Sequence, residues 1–313
     1  MKKYLALFAI MAIGGQLAAQ NLPQFSFHMF NRQVYNPGFV GSDGRMSVAF
    51  AGRQQWVGQE GSPNSYVLAL NTPLGKTSSL PRLAAGFLAM RDEIGVRETH
   101  RFKGQIAYRI PFGNRTVLSF GIQMSGAFVN QNLANLDVND PNDPLADENY
   151  QSGLLPNSGF GVYYYSDDFF VGASISDWFG NSLQDVVVVD NPRGYHLQGG
   201  YRFHLNDNLD LRPTTMIRYT GKLDGINSPL EVDVNLALII QNQLMIGLNH
   251  RVNESVGAML KYQFSENLYA GYAYDFTVTN YLKQSRGSHE VLLGYVFNIN
   301  PKGVNSPRFI TYF

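Results

Sequence analysis

The chain of 313 residues contains no cysteine, so neither a disulfide framework nor a lipid-modified N-terminal cysteine is available to it. Charge is scarce and balanced: 24 basic and 24 acidic residues, 15% of the chain, cancel to a formal net charge of zero. A nucleic-acid partner is therefore not expected, because such binders carry a basic patch. Long apolar runs are missing after the N-terminus, which excludes a bundle of membrane-spanning helices, each needing about 20 consecutive apolar residues. The one apolar stretch, over 4–13, follows Lys2 and Lys3 and precedes Leu17, Ala18 and Ala19. That order is a secretory signal peptide, expected over 1–19, and it implies export from the cytoplasm.

What is abundant is aromatic and small: 18 Tyr, 21 Phe and 31 Gly. The clearest pattern runs from residue 100 to 128. Phe102, Gly104, Ile106, Tyr108 and Ile110 alternate with Arg101, Lys103, Gln105, Ala107 and Arg109, and after Pro111, Phe112, Gly113 and Asn114 a second alternating run places Leu118, Phe120, Ile122, Met124 and Phe128 on one face. A period of two is the mark of a strand, and two such runs around a tight turn make a hairpin.

The same reading predicts strands over 45–56, 65–72, 83–91, 100–110, 116–128, 158–165, 169–176, 194–203, 209–219, 231–240, 244–251, 255–264, 268–276 and 289–297. The expected fold is thus all-β, a transmembrane antiparallel barrel of about 14 strands. The connections sort by parity. Those at 111–114, 166–168, 204–208, 241–243 and 265–267 are short; those at 57–64, 92–99, 129–157, 177–193, 221–230 and 277–288 are longer. Outer-membrane barrels show this asymmetry, with short turns in the periplasm and long loops outside. Trp56, Tyr108, Phe128, Tyr163, Tyr164, Phe203, Tyr219, Phe264 and Phe276 fall near strand ends and read as interfacial aromatic girdles. Pro213 lies inside a strand, where it cannot donate to the ladder, so a bulge or local break is expected there.

Nothing in the pattern carries catalysis, and no enzyme activity, cofactor or metal site is expected. The six histidines lack metal-ligand spacing. Ser288, His289 and Glu290 invite a hydrolase reading but offer no identifiable activated nucleophile. Asp137, Asp140, Asp143, Asp147 and Glu148 resemble a calcium loop only in composition; Pro141 and Pro144 depart from the EF-hand pattern, so a solvated loop is the better reading. The alternation turns Arg101, Lys103, Arg109, Arg202, Arg212, Arg218, Lys261, Asp210, Glu231, Asp233, Asp275 and Glu290 inward. Both signs are present, so the expected lumen is filled by a hydrogen-bonded charge network and is not an open pore. Acidic partners from other strands are expected for Arg101, Lys103 and Arg109. Ahead of the strands, residues 20–44 are an irregular aromatic segment that would help to fill the lumen. The barrel is expected over 45–298, with a tail over 299–313.

Several residue groups resemble the PorP/SprF family of the type IX secretion system. They are Pro23, Gln24, Phe25 and Ser26; Tyr35, Asn36, Pro37, Gly38 and Phe39; Arg53, Gln54, Gln55, Trp56, Val57 and Gly58; Asp92, Glu93, Ile94 and Gly95; and His289, Glu290, Val291, Leu292 and Leu293. The resemblance implies an integral outer-membrane protein of adhesin-secreting Gram-negative bacteria. It would be either a core subunit linked to the periplasmic ring and a peptidoglycan-binding lipoprotein, or a dedicated export or surface-attachment partner of one large adhesin. The adhesin, through its C-terminal domain, and outer-membrane lipids are the partners then expected. Exposed aromatics beside polar loops are frequent hot spots, which makes Trp56, Asp92, Trp178 and Phe179 the candidate contact residues. The rival expectation is an outer-membrane channel or hydrophobic-solute transporter, since barrels of this size serve either role.

Overall fold

The structure, a computed structural model, describes residues 23–75, 82–112, 116–132, 149–179, 193–223, 226–279 and 285–297. The expected signal peptide, the acidic loop and the C-terminal tail lie outside the described residues. Fourteen long strands follow in order: β1 Met46–Gln54, β2 Asn64–Leu74, β3 Leu83–Ile94, β4 Arg97–Phe112, β5 Thr116–Asn132, β6 Leu155–Tyr165, β7 Phe169–Ser176, β8 Gly194–Tyr201, β9 Leu209–Thr220, β10 Leu230–Ile240, β11 Leu244–Arg251, β12 Ser255–Gln263, β13 Leu268–Thr277 and β14 Ser288–Phe297. Each pairs antiparallel with the next, and β14 returns to β1 from Met46↔Phe297 to Gln54↔His289, closing the barrel. Closure leaves no open edge along the wall.

The pleat explains the two faces. In β12, Val256, Leu260 and Tyr262 point out while Ser255, Met259, Lys261 and Gln263 point in. Around the outside, Phe102, Ile106, Phe120, Leu236, Leu248, Leu260 and Tyr272 belong to one exposed apolar belt. A belt of that extent is too large to face water and matches a bilayer.

The sequence placed a long loop at 92–99, and here the structure differs. β3 and β4 stay paired to Ile94↔Arg97, leaving only Gly95 and Val96 in the turn, with Gly95 at φ 59°. At 16 and 17 residues, β4 and β5 exceed the roughly 10 needed to cross the bilayer, so this part of the wall rises above the belt. There the outward residues become polar: Arg91 pairs with Glu98 and, at 3.3 Å, with Glu93. Polar residues on a water-facing strand read as a loop, which is why the pattern misled.

Pro213 does mark a break, on the neighbouring strand. It stays in register with Leu236 of β10, but on its other side the ladder of β8 is interrupted at Arg202 and resumes at Phe203–Asn206. The register shift itself falls between His204 and Asn206.

The lumen is occupied by residues 23–43, every one of them buried. This plug contains one helical turn, α1 Arg32–Tyr35, followed by a 3-10 turn at Pro37–Phe39. Asn36 fixes the second turn: its Oδ1 accepts from Gly38 N at 2.8 Å, while its Nδ2 donates to Val162 O of β6 at 3.0 Å. The wall opposite is hollowed by glycine. A Cβ at Gly121 would fall 2.2 Å from the Pro37 carbonyl carbon, and one at Gly161 would fall 2.1 Å from Asn36 Oδ1. The plug's Phe25, Phe27, Met29, Phe30 and Val34 form one apolar core with Leu88, Met216, Ile239, Met259 and Leu292 of the wall.

Candidate functional site

Two features can carry function: the plugged lumen and the rim that bears the longer loops. In the lumen, all twelve sequence-predicted charged residues lie on inward positions, and Glu231 alone is more than slightly exposed. Near the long-loop rim they form a ladder of ion pairs. Arg53 Nη1 lies 2.6 Å from Asp275 and 3.2 Å from Glu290; Arg218 lies 2.9 Å from Glu231 and 2.7 Å from Asp233; Arg251 lies 2.7 Å from Asp233 and 2.9 Å from Glu254. The plug backbone enters this ladder: Ser26 N and Phe27 N donate to the two oxygens of Glu290 at 2.6 and 3.1 Å, and Arg53 donates to Ser26 Oγ at 2.6 Å. Near the other rim, Arg202 pairs with Asp210, which also meets His204 Nδ1 at 2.6 Å.

Among the β4 cations the expected acidic partner is found for Arg101, whereas Lys103 and Arg109 bond the plug. Arg101 reaches Asp177 at 3.8 Å, but Lys103 Nζ donates to Val34 O at 3.1 Å and Arg109 donates to Gly41 O. Plug carbonyls accept from both of these cations, a role that strand parity cannot reveal. Lys261 Nζ sits over the rings of Tyr269 at 4.6 Å and Phe30 at 5.1 Å. Arg212 is buried on the same face, within electrostatic reach of Arg32, Arg202 and Asp210. Two central members of the network, Arg53 and Arg251, were absent from the expected set. The signal was available: Arg53 shares parity with the buried Ala51, and Arg251 with the buried Asn249. Tyr163, read as part of a girdle, is turned inward, and its hydroxyl accepts from Arg32 Nη1 at 2.6 Å. Within the plug, burial drives the pKa of His28 down to about 4; Asp233 opposes that shift, while Arg218, Arg251 and Arg32 add to it.

On the long-loop rim, Trp178 and Phe179 follow β7 and are exposed. Trp178 packs against Phe160 with ring centroids 5.3 Å apart, and the Arg193 guanidinium lies 5.1 Å over its indole. Phe179 N donates to Asn157 Oδ1 at 3.1 Å. Trp56 follows β1 with φ 46°, its N–H donating to Ser288 Oγ at 3.2 Å, and Asp92 accepts from Ser65 Oγ near the top of β3. The four share a rim without forming one cluster: among the described residues, no hydrogen bond or ring contact joins the pair on β1 and β3 to the pair after β7.

Catalytic geometry does not assemble at 288–290. Ser288 and Glu290 are buried on the lumen face, while His289 points outward and bonds Tyr272 OH at 2.6 Å. Alternation separates the three groups that a hydrolase would need together.

Among solved structures, the toluene transporter TbuX of Ralstonia pickettii aligns at 10% identity with a TM-score of 0.50, covering 87% of this chain and 94% of its own. The CymD monoaromatic hydrocarbon channel aligns at 12% identity with a TM-score of 0.51, covering 88% and 94%. At such identities the likeness is one of fold, that of an outer-membrane barrel. No curated protein matches the chain in sequence. The family described as type IX secretion system membrane protein PorP/SprF matches residues 17–295, nearly the whole length. The chain is therefore an integral outer-membrane barrel that belongs to the PorP/SprF family of the type IX secretion system.

Proposed function

We propose that this barrel is a closed platform in the outer membrane, serving as the export or surface-attachment partner of a secreted adhesin and not as a conduit. The observation that supports this reading most directly is the lumen. Residues 23–43 lie buried inside it and are bonded to the wall from Ser26 to Gly41, which favours a plugged barrel over an open channel. With the interior occupied, binding falls to the rims. In this reading the short-turn rim faces the periplasm, where the secretion ring and a peptidoglycan-binding lipoprotein would meet it. The long-loop rim faces outward and receives the C-terminal domain of the adhesin. Trp178 and Phe179 are the anchors in this reading, because large exposed rings beside a guanidinium bind strongly for their area.

The transporter reading draws on the names of the TbuX and CymD barrels, whose likeness to this chain is one of fold alone. The experiment pairs two measurements. Replacing Trp178 and Phe179 by alanine is expected to release the adhesin into the medium at unchanged barrel levels, and the purified wild-type barrel is expected to show no large, stable conductance in a planar bilayer. Retained adhesin, or a steady open-pore current, would overturn the proposal.

A further inference from the structure

Inside the long-loop rim, on the β11–β13 wall, four buried oxygen-bearing side chains occupy two adjoining inward-facing rows. Asn249, Gly257 and Asp275 are direct lateral neighbours across three strands, and one row nearer the rim Ser255 stands between Arg251 and Thr277. All four side chains are more than nine-tenths buried. Asn249 Oδ1, Asp275 Oδ1, Ser255 Oγ and Thr277 Oγ1 each lack a hydrogen-bond partner. Asp275 is engaged only through its other oxygen, by Ser26 Oγ at 2.5 Å and Arg53 at 2.6 Å.

The centre of the group is a glycine because nothing larger fits. A Cβ on Gly257 would fall 2.2 Å from Asp275 Oδ1 and 2.3 Å from Asn249 Oδ1, so both oxygens converge over the same Cα. A buried acceptor left unbonded is destabilising, and four in two adjoining rows invite a common explanation. Charge supplies one. In the surrounding ladder, the guanidiniums of Arg53, Arg218 and Arg251 stand against the carboxylates of Glu231, Asp233, Asp275 and Glu290, before Glu254 at the rim is counted. Side chain for side chain, carboxyl groups outnumber guanidiniums in this ladder.

We propose that this cup binds a small hard cation, with the Asp275 carboxylate, the Asn249 amide carbonyl and the Ser255 and Thr277 hydroxyls as its oxygen ligands. A single carboxylate among neutral oxygens suits a monovalent ion, Na+, and oxygen donors without nitrogen or sulfur suit hard cations generally. The site opens toward the long-loop rim, since Ser255 begins β12 and Thr277 ends β13. Bound there, the ion ties three strands together beside the plug and balances the ladder that holds Ser26.

The test uses the full-length mature protein in detergent, with the thermal unfolding midpoint followed by far-UV circular dichroism. NaCl, CaCl2 and N-methylglucamine chloride are compared at equal ionic strength, so that general screening is constant. The midpoint is expected to rise by several degrees in NaCl over N-methylglucamine chloride. In the Ser255→Ala, Thr277→Val double variant, which removes two ligands with little change of shape, that increment disappears. Asn249→Asp, which adds a second carboxylate ligand, enlarges it. Equal wild-type midpoints in the Na+ and N-methylglucamine salts would overturn the site, as would an increment that survives the double variant. A rise with Ca2+ but not Na+ would overturn the monovalent assignment. A drop in Asn249→Asp that is the same in every salt would mean that the amide donates to Asp275, and would also overturn the proposal.

Discussion

The two sides of the lumen hold the same plug by different means. Along β9 to β14 and β1, Arg53, Arg218 and Arg251 meet wall carboxylates, and the plug is inserted into pairs that exist beside it: Arg53, Asp275 and Glu290 would face one another even without Ser26. Along β2 to β8 the wall bonds the plug itself. Lys103 and Arg109 donate to plug carbonyls, Gln105 and Gln33 exchange hydrogen bonds at 2.9 and 3.1 Å, and Ser174 Oγ donates to Tyr35 O at 2.7 Å. The charge-paired wall bonds the plug at Ser26 and Phe27 but also pairs its own charges, whereas the cations Lys103 and Arg109 of the other wall rely on plug carbonyls. Gly121, Gly161 and Gly172 make room for Asn36 and Pro37 on the second side, while on the first Gly271 lies under the Phe27 ring.

The largest way to break this contrast is Arg53→Met. It leaves Asp275 and Glu290 as two buried carboxylates with no cation between them, and stranding a charge in a buried pair costs about 3–5 kcal/mol. The expected result is a steep fall in the urea midpoint of the refolded barrel, or failure to assemble in the membrane. Lys103→Met, on the other side, should be much milder. It strands one carbonyl, Val34 O, at about 1–3 kcal/mol, and recovers part of that because an ammonium no longer has to be buried. Equal losses in the two variants would mean that the sides do not differ in the way described.

Much of this was legible from the chain, for a physical reason. A strand between lipid and a polar interior must alternate, so Phe102 against Arg101, or Leu260 against Lys261, declares both the strand and its inward side. The same alternation puts the twelve charged residues on inward-facing positions. What alternation cannot say is who meets whom across the lumen, because partners such as Arg53 and Asp275 come from β1 and β13, far apart in the chain. The plug is harder still. Its sequence has no period, since each of its residues is set by a different part of the wall, and Asn36 matters through the hollow at Gly161 and Gly172, not through its neighbours. The hairpin at 92–99 failed for the opposite reason: above the bilayer a strand has no lipid face, so its pattern loses the apolar half.

The mildest test concerns His28, which lies in the plug facing the charge-paired side. The charged groups acting on it are Asp233, Arg218, Arg251 and Arg32, and burial is the main cause of a pKa held near 4, below the usual 6.5. A folded-state pKa lowered in this way favours the neutral ring in the native protein. The associated stability is complete above about pH 6.5 and declines as pH falls toward 4, because the unfolded chain takes up the proton first. The slope from this one group cannot exceed about 1.4 kcal/mol per pH unit. His28→Gln should be close to wild type at pH 8 and lose less stability than wild type between pH 6.5 and 4, measured as the difference between their urea midpoints at each pH. Carboxylates titrate in the same range in both proteins, so the difference isolates the imidazole. Parallel curves would mean that the ring is already solvated in the folded barrel, and that the charge-paired side is wetter than its packing implies.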